Sequence, residues 1–198
     1  MPYKGQWYHF HVYRAGYVLA GGRSSRMGRD KALLPFRGGA LAQAVAHAVE
    51  QAAGSAVLIG NPQLADALGY PAIPDLYPGE GPLGGILTAL AHSSAEWNLI
   101  TACDMPELTA PFLAGLLDAA ARADADVLVP QGPAGRPEPL CAVYHARSRP
   151  AIEAAFQAGE RKVMRAFGSV RIVVWPVREV SHFQNVNTPE DWAAYGAE

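Results

Sequence analysis

Short, unbroken apolar runs alternate along this chain with longer stretches whose apolar positions recur at helical spacing. Residues 15–20, 56–59, Trp97–Ala102 and 126–129 are runs of the first kind, and residues 71–74 form a shorter extended piece. Between them, Leu41–Ala53 carries a helical pattern stopped by Gly54, Leu64–Leu68 a brief one, and residues 86–92 another. A further helix is predicted over 109–123, with Thr109 as its cap and Pro111 in its first turn. Continuous apolar strands suit a sheet covered on both faces, and parallel strands need helical crossovers. The pattern therefore predicts an α/β fold: a three-layer α/β/α, doubly wound, mostly parallel sheet. The last third departs from strict alternation, with a loop over 132–139, a strand over 140–145, a helix at Arg149–Gln157 and a strand over 170–177.

Length changes this picture little: 198 residues predict one domain, taken here as residues 15–198, preceded by an arm of residues 1–14. The arm is aromatic, from Trp7 to Tyr13, and reads as an extra edge strand, a dimer contact or upstream sequence. His9 and His11 within it have the spacing of two ligands on one strand face, but no Cys or carboxylate nearby completes a metal site. Half the residues are hydrophobic and 17% are charged, the balance of a globular enzyme rather than of a disordered chain. A formal charge of −2 gives no bulk attraction for nucleic acid or an anionic membrane, and neither is expected as a partner. Two cysteines, Cys103 and Cys141, sit in apolar contexts and read as core residues in a reducing, cytoplasmic setting. The sequence shows no apolar run long enough to span a membrane and no basic-then-apolar leader.

Open parallel sheets bind ligands beyond the carboxyl ends of their strands, and the chemically distinctive residues fall there. The first strand runs into Leu19-Ala20-Gly21-Gly22-Arg23-Ser24-Ser25-Arg26-Met27-Gly28-Arg29-Asp30-Lys31. Glycines let backbone N–H groups face an anion closely while Arg26 and Lys31 add positive charge and Ser24 a hydroxyl, a combination suited to phosphate. It is neither the P-loop, which closes on Gly-Lys-Ser/Thr, nor the dinucleotide Gly-x-Gly-x-x-Gly. Asn61 follows the second strand, Asp75 the third, and Cys103-Asp104-Met105-Pro106 the fourth. A carboxylate fixed directly after a buried strand suits a hard cation, which needs only one or two protein carboxylates beside substrate phosphates. From that tetrapeptide alone, a helix-capping role for Asp104 stands equally open.

Leu-Ala-Gly-Gly-x-Ser-x-Arg-Met-Gly-x-Asp-Lys resembles the signature of the sugar-nucleotidyltransferase-like superfamily, most closely the molybdenum cofactor guanylyltransferases. The similarity continues through Gly81-Pro82-Leu83-Gly84-Gly85, Asp104-Met105-Pro106, Gly135-Arg136 with Pro139-Leu140-Cys141-Ala142-Val143-Tyr144, and Asn185-Val186-Asn187-Thr188-Pro189-Glu190-Asp191, covering about residues 15–192 in order. Gly84 replaces an Ala of the family pattern, and Ala134 stands where an acidic residue is common. The resemblance implies a Rossmann-like nucleotidyltransferase fold, a nucleotide held by Leu19, Ala20, Gly21, Gly22, Ser24, Lys31, Asn61, Asp75, Gly81 and Asp104, and Mg2+ on Asp104 and Asn187. It further implies catalytic roles for Arg26, Lys31 and Asp104, and an acceptor met by Arg136, Asn185 and Asn187. Arg161-Lys162-Val163 resembles a basic stretch near the acceptor, with a solvated basic turn as the plain alternative.

The implied reaction is transfer of GMP from GTP to molybdopterin carrying molybdenum, with pyrophosphate released; cofactor-insertion proteins or receiving molybdoenzymes are the implied protein partners. An acceptor phosphate is already an anionic nucleophile at neutral pH, so no Ser–His or Cys–His pair is needed. Two alternatives stay open at this stage. One is a cytidylyl or sugar-phosphate nucleotidyltransferase of the same fold, because base choice rests on few contacts. The other is a non-catalytic nucleotide-binding adaptor, against which the intact Asp104 speaks.

Overall fold

The computed structural model describes residues 13–21, 30–179, 181–188 and 191–193. The aromatic arm through residue 12, with His9 and His11, lies outside the described residues. In chain order the elements are β1 (Arg14–Leu19), a 3-10 turn (Lys31–Leu33), a small hairpin of β2 (Pro35–Phe36) and β3 (Gly39–Ala40), α1 (Leu41–Ala53), β4 (Val57–Gly60), α2 (Leu64–Leu68) and β5 (Ala72–Pro74). There follow α3 (Pro82–His92), β6 (Trp97–Ala102), α4 (Ala110–Arg122), β7 (Val127–Gln131), β8 (Cys141–His145), α5 (Arg149–Gln157), α6 (Val163–Ala166) and β9 (Ile172–Pro176). Arg14, expected in the arm, is the first residue of β1 and pairs with Trp97 of β6.

Local chemistry explains the helix boundaries. Gly54 takes the left-handed conformation, φ 81°, that closes α1, and Thr109 accepts a hydrogen bond from Phe112 N at the start of α4, with Pro111 in the first turn. α3 begins four residues earlier than its apolar pattern suggests. Pro82 starts it, and Gly84 and Gly85 keep its first turn free of side chains where Tyr77 and Leu19 crowd against it.

Seven strands form one sheet in the order β5-β4-β1-β6-β8-β7-β9. β8 runs antiparallel to both of its neighbours, and the remaining pairs are parallel. Alternating side chains divide the core between the two faces. Val18, Leu58, Leu99 and Leu128 pack with Val45 and Val49 of α1 and Leu113, Leu116 and Leu117 of α4. Tyr17, Leu19, Ile59, Ile100 and Val129 pack with Leu83 and Ile86 of α3, Ile152 of α5 and Val163 of α6. The architecture is the expected three-layer α/β/α sheet. A third, smaller cluster of Leu34, Phe36, Leu41 and Val186 joins the stretch before Asn187 to the β2–β3 hairpin.

Candidate active site

Because β1, β4, β5 and β6 are parallel, their carboxyl ends share one edge, and the distinctive residues collect there. Asp104 follows β6 and is fixed from three sides. Cys103 N donates to Leu19 O at 3.1 Å, Ala102 N to Leu140 O at 2.7 Å, and Val186 N to Asp104 O at 2.9 Å. Lys31 opens the 3-10 turn, capped by Asp30, whose carboxylate accepts from Ala32 N at 3.1 Å. From there the Lys31 Nζ donates to Asp104 Oδ2 at 2.8 Å and to Asn187 Oδ1 at 2.9 Å. The Lys31 and Asp104 side chains are only 16% and 20% exposed, so the pair is weakly screened by solvent.

Asn187 is held by its own neighbours. Asn187 N and Thr188 N both donate to Asp191 Oδ2 at 2.9 Å, while Asp191 N donates back to Thr188 Oγ1 at 3.1 Å. This is a reciprocal helix cap. The backbone donors, Asn187 N first, hold the Asp191 carboxyl below its ordinary range. Trp192 Nε1 donates to Pro35 O at 3.1 Å, and buried Val186 packs beside Leu34 and Phe36. Three stretches far apart in sequence thus meet at Lys31, Asp104 and Asn187.

On the β4–β5 side, the glycine loop begins where Gly21 meets Gly60. Ala20 N donates to Ile59 O at 2.9 Å, and a Cβ on Gly60, whose φ is 149°, would lie 2.8 Å from Gly21 N. Only glycine allows that approach. Asn61, exposed at the end of β4, turns its Oδ1 to Gln63 N at 3.0 Å. Asp75 accepts from Tyr77 N at 3.0 Å and lies 2.7 Å from the Thr88 hydroxyl of α3, which ties the loop after β5 to the helix that Gly81 introduces. Gly22, Ser24 and Arg26 lie outside the described residues. Arg136 and Asn185 are both exposed, Arg136 in the β7–β8 connection and Asn185 two residues before Asn187.

Glu138 belongs to this edge without any motif of its own. Glu138 N donates to Pro130 O at 2.9 Å, its carbonyl accepts from Cys141 N at 3.0 Å, and the buried Tyr144 hydroxyl grips the next carbonyl, Pro139 O, at 2.6 Å. With Thr101 opposite Cys141 in the β6–β8 register, this turn sits beside the Asp104 loop. Burial first, and the Asp104 charge after it, push the Glu138 carboxyl above its usual range, against the opposing pull of Arg136. Nothing local in Arg-Pro-Glu-Pro signals this, because the antiparallel insertion of β8 creates it. Arg161, by contrast, is exposed in the turn before α6. It pairs with Glu80 at 2.6 Å, donates to Phe156 O at 2.8 Å and lies 4.0 Å over the Phe156 ring.

Asp104 and Asn187 offer one carboxylate and one amide oxygen toward the same ammonium, a donor set suited to a hard cation that also takes oxygens from substrate. Among the described residues there is no cluster of three or more His, Cys, Asp or Glu side chains placed to hold a metal without substrate. Burial pushes the Cys103 thiol up to about 12 and raises Cys141 as well, so neither is a nucleophile at neutral pH. Among the described residues no helix is long and apolar enough to cross a membrane.

The MobA-like NTP transferase domain family matches residues 16–172 of the chain. The chain belongs to this family. Among curated relatives of the MobA-like transferases, a probable molybdenum cofactor guanylyltransferase of Deinococcus radiodurans is 36% identical over 89% of this chain and 90% of its own. One of the same name from Flavobacterium johnsoniae is 32% identical over 88% and 92%. Among solved structures, the molybdopterin-guanine dinucleotide biosynthesis protein A of Archaeoglobus fulgidus superposes with a TM-score of 0.78 at 28% identity, covering 91% of this chain and 96% of that one. The chain is therefore a nucleotidyltransferase, and the edge where Lys31, Asp104 and Asn187 meet is the candidate active site of a MobA-like transferase.

Proposed function

We propose that the chain is a molybdenum cofactor guanylyltransferase: it transfers GMP from GTP to the terminal phosphate of molybdopterin. An acceptor phosphate oxygen attacks the α-phosphorus of GTP, the bond from that phosphorus to the β-phosphate oxygen breaks, and pyrophosphate leaves. The convergence of Lys31 with Asp104 and Asn187 supports the chemistry, and the names of the relatives support the substrates.

Asp104 and Asn187 would hold Mg2+, and both residues offer oxygen ligands. When bound, the ion would neutralise charge on the α-phosphate and the leaving group. Lys31, with Arg26 and the N–H groups of Gly21 and Gly22, would carry the β- and γ-phosphates. Ser24, Leu19, Ala20, Asn61, Asp75 and Gly81 would frame the nucleotide, and Arg136 and Asn185 would face the acceptor. The two buried, free thiols accord with a reducing cytoplasmic setting.

Calorimetry with GTP, CTP and ATP, each in Mg2+ and then in EDTA, tests this function. GTP selectivity that weakens in EDTA is expected. A preference for CTP would move the activity to cytidylyl transfer, and no binding by any nucleotide would overturn it.

A further inference from the structure

Lys31 is doubly committed. Its ammonium is the common donor to Asp104 Oδ2 and Asn187 Oδ1, the two side-chain oxygens that suit a hard cation, at 2.8 and 2.9 Å. The backbone that carries each acceptor is tethered. Asp104 is tethered through its carbonyl to Val186 N, and Asn187 through its amide to Asp191. A positively charged lysine that satisfies both oxygens therefore competes with a divalent ion for them.

We infer that Lys31 guards the cation seat formed by Asp104 and Asn187, and gives it up when the phosphates of the nucleotide offer its ammonium other oxygens. The inference rests on the nucleotide-transfer function above and concerns order of binding. A divalent ion alone binds the free protein weakly, and nucleotide and ion bind with positive coupling, each strengthening the other by the same factor. Lys31 thus acts twice, first holding Asp104 and Asn187 in place with their charge balanced, then transferring to the phosphates.

The test is binding of Mn2+ alone to the full chain, followed by the electron paramagnetic resonance signal of the free ion. Lys31→Met and Lys31→Gln are expected to bind Mn2+ about tenfold or more tightly than the wild type, because a competing charge is removed from Asp104. Adding Asp104→Asn to either variant should abolish the gain, and Lys31→Arg, which keeps the charge, should not show it. Circular dichroism of each variant confirms that the fold is retained. Equal or weaker Mn2+ binding by both Lys31→Met and Lys31→Gln would overturn the inference, as would a gain that survives Asp104→Asn. GTP binding by the wild type in Mg2+ is measured separately; its failure would count against the proposed function and would leave the Mn2+ comparison unaffected.

Discussion

At the level of single residues, the site depends on charges held in fixed positions. Losing one preorganised donor at a transfer site commonly costs about 3–4 kcal/mol, or a hundredfold or more in rate. Lys31→Ala and Asp104→Ala should each lower turnover by about that factor while leaving the fold intact, as single-turnover kinetics and melting curves would show. Glu138 makes a different kind of prediction. Its carboxyl is raised in the folded protein, so the fold favours the protonated form. Its contribution is fully favourable below the unfolded value and is lost as pH rises through the folded value. Glu138→Gln should therefore raise the melting temperature at pH 8 and leave it nearly unchanged at pH 4. A Gln variant that melts lower than wild type at pH 8 would show that the charged form is stabilised instead.

At the level of elements, the segment from Val186 to Trp192 brings Asn187 to the site. Val186 is fully buried against Leu34, Phe36 and Leu41, and its N–H holds the Asp104 loop. Val186→Ala should cost about 2 kcal/mol of stability from lost burial and packing, and should also slow turnover by loosening both Asn187 and Asp104. Asn187→Ala should slow turnover with little change in melting temperature, so chemical denaturation alongside kinetics separates anchoring from chemistry. Elements with local signals were legible in the sequence: Gly54 ending α1, and Thr109 and Pro111 starting α4. What stayed hidden depends on long-range pairing. The antiparallel β8 places Glu138 beside Asp104, and the Arg161–Glu80 pair joins α5's end to the loop before α3. Neither has a spacing or composition of its own to give it away.

At the level of the whole molecule, the sheet order sets two halves on either side of Asp104. Gly21, Asn61, Asp75 and Gly81 stand beyond β1, β4 and β5, whereas Arg136 and Glu138 stand in the β7–β8 connection on the other flank. If nucleotide and acceptor divide this edge accordingly, Arg136→Ala should raise the KM for the acceptor several-fold and leave that for GTP unchanged, with the reverse for Asn61→Ala. A shared effect of either variant on both substrates would contradict the division. The most direct test of guanylyl transfer itself is formation of the guanine dinucleotide product and pyrophosphate from molybdopterin and either GTP or CTP, in Mg2+, by the wild type and by Asp104→Asn. Product from GTP alone, lost in the variant, is the predicted result; turnover that prefers CTP, or that survives Asp104→Asn at the wild-type rate, would contradict it.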